Sequence, residues 1–393
     1  MNQNMNLLQP YPFQRLKALF ADITPNREYT PINLSIGEPK HKTPEIIQAS
    51  FIEHIAGLAH YPTTKGSLGL RQAIADWACQ RYNIPMLDVE NEIIPVNGSR
   101  EALFAIAQAV IDTSKPNPVV ISPNPFYQIY EGAALLAGAE PYFINTLSEY
   151  GYKMDFTEVP ASVLNRTQLV YVCSPGNPSG KVMSLDEWKT LFELSDQYGF
   201  IIASDECYSE IYFDEKNPPI GALQAAHLIG RDYSRLIVFG SLSKRSNVPG
   251  MRSGFVSGDA GIIEKFLLYR TYHGCAMNPA AQEASITAWT DETHVIENRR
   301  LYTEKFNTVA PMLKIVWPKV QMPDAAFYLW LQTDEDDTEI ARRLYADLNI
   351  TVLPGSYLAR TAHGINPGKG FIRMALVATL QECVEASQRI QQR

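Results

Sequence analysis

The chain has little of what several specialised chemistries require. Its five cysteines, Cys79, Cys173, Cys207, Cys275 and Cys383, are odd in number and far apart, with no Cys-x-x-Cys pair. That argues against a zinc site or a disulfide framework and leaves them as reduced, mostly packing residues. Neither Gly-x-Gly-x-x-Gly nor Gly-x-x-x-x-Gly-Lys-Ser/Thr occurs, so no glycine-rich nucleotide cradle is expected. There is no run of about 18 apolar residues, and Met1 to Phe13 has neither the basic region nor the apolar core of a signal peptide. A soluble, cytoplasmic protein without membrane contact is the expectation. Positive charge is in deficit too: 34 Lys and Arg against 42 Asp and Glu leave a net charge of −8 and a pI near 5.5. An acidic chain suits a small metabolite better than a nucleic acid.

What is present is an ordinary globular composition, 46% hydrophobic over 393 residues, with a mean hydropathy of −0.15. The length has room for about two to three domains. The first 45 residues carry Pro10, Pro12, Pro25, Pro31, Pro39 and Pro44, which permit a helix only across Phe13 to Ala21. This stretch reads as an arm, with a short strand at Leu34-Ser35-Ile36 broken by Gly37. Helices are expected from about Pro44 to Leu58 and from Leu68 to Tyr82, around the turn Tyr61 to Gly66.

From Glu92 the pattern changes to short apolar strands alternating with helices: Ile93 to Val96, Val119 to Ser122, Leu169 to Cys173, Phe200 to Ser204, Leu236 to Phe239 and Gly254 to Ser257. Ser184 and Glu187 form a capping-box pattern ahead of Trp188, Leu191 and Phe192. Such alternation predicts an α/β fold with a largely parallel sheet covered on both faces, its ligand beyond the carboxyl ends of the strands. After Pro279 the pattern is helical to about Leu313. A shorter α/β pattern follows, with Phe327 to Trp330, a helix Thr338 to Asp347, a strand Thr351 to Leu353, and Gly370 to Ala378. The expected organisation is an arm over 1–45, a large domain over 46–285 and a smaller one over 286–393.

The polar clusters fall at the ends of those strands. Ser241-Leu-Ser-Lys-Arg-Ser-Asn-Val-Pro-Gly-Met-Arg252 sets Lys244 between two hydroxyls and two arginines. An amine so placed suits an imine next to a bound phosphate, or else a solvated loop lysine. Asn97-Gly98-Ser99-Arg100 opens a helix whose free amides suit a phosphate, unless Ser99 merely caps it. Tyr127 follows another strand end and suits ring stacking or simple packing. Asn177 sits in the proline-pinned loop Ser174 to Gly180. Asp205, ending a buried strand, needs a cation, either a ligand's ring nitrogen or an arginine. Tyr208 follows within a turn. Arg373 interrupts the apolar strand Phe371 to Leu376, so it needs a carboxylate, from substrate or from the chain.

In order along the chain, Ser-Pro-Gly-Asn-Pro-x-Gly, Ser-Asp-Glu-x-Tyr, Ser-x-Ser-Lys with Pro-Gly-x-Arg, and the late arginine resemble the class I/II pyridoxal-phosphate aminotransferases of fold type I. The resemblance spans Leu34 to Arg373 and implies a seven-stranded, mostly parallel sheet in the large domain. It implies that Lys244 is the Schiff-base lysine, that Asp205 pairs with the pyridine nitrogen, and that Asn177 and Tyr208 hold the ring oxygen under a stacked Tyr127. The cofactor phosphate would meet the amides of Gly98, Ser99 and Arg100, with Ser241, Ser243 and Arg252. Arg373 would clamp the substrate carboxylate near Gly37. Tyr61 would reach the neighbouring subunit's phosphate in a homodimer with shared sites. No metal is implied.

Longer stretches, among them Leu-Ser-Ile-Gly-Glu-Pro-Lys-His and Leu-Ser-Lys-Arg-Ser-Asn-Val-Pro-Gly, are similar to the proteobacterial N-succinyldiaminopimelate aminotransferases of lysine biosynthesis. That implies amino exchange between N-succinyl-diaminopimelate and the glutamate/2-oxoglutarate pair, in ping-pong order. Both substrates carry a second carboxylate, for which Arg270, Lys40, Arg15 and Arg360 are candidates, Arg270 ranked first. Cofactor motifs do not separate this activity from an aspartate, alanine or aromatic aminotransferase or a carbon–sulfur lyase. A regulator with an aminotransferase-like sensor is disfavoured, because the proline-broken arm is too short for a DNA-binding segment.

Overall fold

In the computed structural model, which describes residues 1–392, the apolar segments between Ile93 and Gly258 assemble into one seven-stranded sheet. In chain order the strands are β1 (Ile93–Val96), β2 (Val119–Asn124), β3 (Glu140–Asn145), β4 (Thr167–Cys173), β5 (Ile201–Asp205), β6 (Leu236–Ser241) and β7 (Gly254–Gly258). Their spatial order is β1-β7-β6-β5-β4-β2-β3. The pairs from β6 across to β3 are parallel, whereas β7 runs antiparallel to both neighbours. Two reversals cancel, so β1 points the same way as the parallel strands.

Continuous apolar runs suit strands buried on both faces. Side chains alternate between two cores. Leu236 and Val238 join one with Val170 and Val172, while Ile237 and Phe239 join the other with Leu169 and Tyr171. The strand β3 was not visible as a segment in the sequence. It is an edge strand paired only with β2, half-exposed, and contains Pro141, which an edge tolerates.

The flanking helices follow their local signals. Ser67 caps Leu68–Tyr82 through the Leu70 amide, and the left-handed Asn83 ends it. The capping box of Ser184 and Glu187 forms as expected at Leu185–Tyr198. The helix expected from Pro44 to Leu58 is instead α-helical only over Glu45–Glu53, then continues as a tighter 3₁₀ turn, Ile55–Ala59.

A second, three-stranded antiparallel sheet contains β8 (Tyr328–Gln332), β9 (Leu353–Pro354) and β10 (Phe371–Ala375) in the order β9-β10-β8. The arm completes its core: Ile32–Asn33 pairs in parallel with Ile350–Thr351, and Ile32 and Leu34 pack with Tyr302, Phe306, Leu329 and Ile372. The arm strand therefore lies two residues before the expected one. The expected strand Thr351 to Leu353 is divided between two partners, the arm and β10. The last helix, Leu380–Gln391, went unforeseen although Thr379 and Glu382 form a second capping box. All five cysteines are free. Among the described residues, no helix is long and apolar enough to cross a membrane and no cluster suits a metal ion.

Candidate active site

Because β1 runs with the parallel strands, six carboxyl ends open onto one edge of the sheet, and five of them lead into the site: Val96, Asn124, Cys173, Asp205 and Ser241. The loops that follow wall a cavity of about 540 Å³, closed from the other side by Tyr11 to Phe13, Ile36 to Glu38, Tyr328 and Arg373. The crevice lies where such sheets bind their ligands.

Lys244 lies on the four-residue helix Leu242–Arg245 that follows β6 directly. Its Nζ donates to the Gly37 carbonyl at 2.7 Å, leaving two ammonium protons without a protein acceptor. Burial pushes its pKa down to about 8, with Arg100 and Arg373 adding repulsion against Cys207 and Glu38. Asp205 is 3% exposed at the end of β5. It accepts from the Tyr130 hydroxyl at 2.7 Å and the Cys207 amide at 3.3 Å. Burial raises its pKa, the hydrogen bonds opposing. Among the described residues no lysine or arginine forms an ion pair with it.

The turn after β5 brings the Tyr208 hydroxyl into the cavity, 2.9 Å from that of Tyr328. Arg373, on β10, donates to the Asn177 side-chain oxygen at 2.9 Å and the Ser35 carbonyl at 2.8 Å, with its guanidinium 4.3 Å above the Tyr328 ring. Its buried Nε has no partner. The internal Asp or Glu that was one of its two expected partners is not there. A side chain at Gly37 would strike the Tyr328 hydroxyl, 2.0 Å from its Cβ position, so only glycine lets the arm come this close.

At the opposite end, Gly98 occupies the cap position of helix Ser99–Val110 with φ of +84°, and no side chain caps that helix. A Cβ there would lie 2.3 Å from Nη2 of Arg252. Ser99 is the first helical residue and not the cap; its hydroxyl turns to the Cys207 thiol, 2.8 Å away. The first amides are left free beside a guanidinium. The side chain of Arg100 extends to the Tyr127 hydroxyl. Ser241 accepts from the Ser243 amide at 3.1 Å, capping the lysine's own short helix, and both hydroxyl residues face the cavity.

Arg270 does not belong to the cavity, which corrects the expectation that ranked it first for substrate. It is 1% exposed, and its Nη1 donates to both carboxylate oxygens of Glu101 at 2.7 and 2.8 Å, with a further bond to the Cys275 carbonyl. Its charge is met by a carboxylate behind the helix, although its buried Nε, like that of Arg373, has no partner among the described residues. Arg360 is likewise held by Glu131 at 2.6 and 2.8 Å. Arg15 lies 3.9 Å over the Tyr357 ring, and neither it nor Lys40 lines the cavity. Tyr61 is fully exposed and away from its own chain's cavity.

Sequence reasoning missed Tyr130, Tyr328 and the wall from Tyr11 to Phe13. The signal for Tyr130 was its place three residues after Tyr127 at the start of a helix, which turns both rings inward.

A buried lysine, an unpaired carboxylate and an uncapped helix end beside an arginine, all facing one cleft of a doubly covered α/β sheet, define a cofactor-dependent enzyme that handles a phosphorylated cationic ring. The family model for aminotransferase class I and II matches residues 29–390, and the chain belongs to that family. Its cofactor is pyridoxal 5′-phosphate.

The fold is that of an aminotransferase from Neisseria meningitidis Z2491, with a TM-score of 0.97 and 52% identity over 100% of this chain and 99% of that one. An aminotransferase from Helicobacter pylori 26695 superimposes with a TM-score of 0.90 at 34% identity, covering 98% of each chain. Among curated relatives, an LL-diaminopimelate aminotransferase from Moorella thermoacetica is 30% identical over 98% of this chain and 95% of its own length. The residues fit the cofactor: Asp205 has no cation of its own, and the notch at Gly98 exposes helix amides beside Arg252.

Proposed function

We propose that this aminotransferase exchanges the amino group of N-succinyl-LL-2,6-diaminopimelate with 2-oxoglutarate, giving glutamate and the 2-oxo acid. The observation that carries the reading is Arg373, a buried guanidinium without a carboxylate that faces the same cavity as Lys244. A 2-amino acid supplies the missing anion and presents its Cα to the amine.

When bound, pyridoxal phosphate supplies an electron sink that acidifies the substrate Cα–H and carries the amino group between half-reactions. The chain's residues do the rest. Asp205 would pair with the pyridine nitrogen, whose positive charge would offset the burial that now raises its pKa. Asn177 and Tyr208 donate to the ring oxygen, and Tyr127 covers the ring face. The free amides of Ser99 and Arg100, the hydroxyls of Ser241 and Ser243, and Arg252 would hold the phosphate; the Gly98 amide, expected to join them, already donates to the Val96 carbonyl at 2.8 Å. Lys244, whose ammonium burial makes easier to deprotonate, would take the proton from the substrate Cα and hold it for return.

For the distal carboxylate we assign the side chain of Arg100. It lines the cavity, its one side-chain bond is to a phenol, and no carboxylate of the described residues pairs with it. Relatives named LL-diaminopimelate aminotransferase favour a second reading, the unacylated substrate. That substrate would present a distal ammonium to a cavity whose wall carries Arg100, Arg252 and Arg373 against Asp205 and Glu38. The anionic succinyl group fits that balance better. We also retain a homodimer with Tyr61 reaching the neighbouring subunit's phosphate, supported by that tyrosine's exposure; the division at 45 and 285; and a cytoplasmic location.

The test is kcat/KM for N-succinyl-LL-diaminopimelate, LL-diaminopimelate, aspartate, alanine and phenylalanine with 2-oxoglutarate as acceptor. The N-succinyl compound is expected to lead. A preference for any other amino acid overturns the assignment.

A further inference from the structure

Behind the cavity, three segments that face it are joined by one chain of hydrogen bonds. Lys305, on the long helix Thr293–Lys314, is 3% exposed. Its Nζ donates to the carbonyls of Leu376 and Val377 at 3.4 and 3.5 Å, just past the end of β10, and lies 2.6 Å from Nε2 of His41. An ammonium has three protons and nothing with which to accept. Nε2 of His41 must therefore be the acceptor, and the imidazole proton sits on Nδ1. That proton goes to the Asn298 side-chain oxygen at 2.7 Å, which also accepts from Asn247 at 3.0 Å. The Asn298 amide is thereby oriented, and its two protons go to the carbonyls of Lys244 and Arg245 at 3.1 and 3.3 Å.

The carbonyls of Lys244 and Arg245 can only accept, so they orient Asn298 from the other end in the same sense as the Lys305 charge does. That end matters because Leu242–Arg245 is a single helical turn, too short to satisfy its own last carbonyls. Asn298 does so from outside. His41 belongs to the loop that continues from Gly37, whose carbonyl takes the Lys244 ammonium proton.

We propose that Lys305, His41 and Asn298 are positioning residues that lock the main chain of Lys244 to the Gly37 loop and to the end of the Arg373 strand, so that the lysine's reach toward substrate is fixed. The inference rests on the reading of Lys244 as the proton carrier. Burial, and next the Lys305 charge, depress His41 to about 4, so the ring stays neutral as the chain requires. Burial depresses Lys305 to about 8; Glu382 and Cys383 face it and oppose that shift. Glu297 and the Tyr302 ring are the other neighbours of His41.

The test uses the holoenzyme. Nitrogen-15 NMR of the histidine side chains should show His41 as the neutral Nδ1–H form to below pH 5. In Lys305→Met the ring should titrate nearer its ordinary value of about 6.5, because the second cause of its lowered pKa is gone. Lys305→Met and His41→Leu should each lower kcat about tenfold, with KM for both substrates within about twofold. His41→Gln, which offers an acceptor and a donor on one amide, should retain most of kcat. Unchanged kcat in Lys305→Met, or equal impairment in the glutamine and leucine variants, overturns the proposal, as does an Nε2–H tautomer in the wild type. Lys244→Ala is the control: if its kcat fell no further than that of Lys305→Met, the reading of Lys244 would fall, while the tautomer result would still judge the network.

Discussion

Two buried arginines, one in each half of the molecule, look alike until their partners are compared. Arg270 lies behind the first helix of the seven-stranded sheet and Arg373 on the three-stranded sheet, and both are almost wholly buried. Nη1 of Arg270 donates to both carboxylate oxygens of Glu101. Arg373 has only the neutral oxygens of Asn177 and Ser35. A buried guanidinium without a carboxylate is left uncompensated unless a ligand brings one. The two buried lysines divide in the same way. Lys244 and Lys305 are both depressed to about 8. Lys305 has three acceptors and lies outside the cavity lining; Lys244 has one acceptor and faces into the cavity. Depressed basicity marks burial; the missing carboxylate at Arg373 and the single acceptor of Lys244 mark the site.

Four experiments would break or sharpen this contrast. Lys244→Ala should cost roughly 10²–10⁴-fold in kcat by steady-state assay, far more than Lys305→Met; equal losses would erase the distinction between the lysines. Arg373→Leu should lower kcat/KM roughly 10³-fold, two charge-assisted bonds at about 2 kcal/mol each. Arg270→Leu should act on stability instead, by about 3 kcal/mol in urea unfolding, the lower end for a broken buried pair because Glu101 keeps a quarter of its side chain in solvent. Its kcat/KM, measured on folded protein, should stay within several-fold; a loss as large as that of Arg373→Leu would return Arg270 to the site.

The smallest effect is one of pH. The cofactor-free protein should capture pyridoxal phosphate at a rate that rises about tenfold per pH unit and levels off near 8, because the neutral amine is the nucleophile and its pKa is lowered. Levelling off only above pH 10 would mean that the amine is not held in the buried setting described.

Strand-end positions were legible because apolar runs and polar clusters alternate along the chain. That placed Lys244, Asp205, Asn177 and Tyr208 in one cleft. Partner identity was not legible, since it depends on which side chains meet across 169 positions, as Arg270 and Glu101 do. Neighbourhood in sequence therefore promoted Arg270 wrongly. The edge strand β3 was hidden for a different reason: paired on one side and half-exposed, it lacks the apolar run that a central strand needs. For Ser99 a cap was the alternative to a phosphate site, because serine favours cap positions; Gly98 takes that position, and the hydroxyl bonds Cys207.

The uncapped start of helix Ser99–Val110 has a consequence for the life of the protein in a cell. In the site proposed above, a phosphate would complete the amides that no side chain satisfies, so the loaded chain would have a full set of bonds where the empty chain relies on water. Cofactor supply then acts on folding as well as on rate, since a ligand held only by the native state shifts the unfolding equilibrium by mass action. Under cofactor shortage the chain would become easier to unfold and to degrade, so that its abundance would track the vitamin on which its chemistry depends.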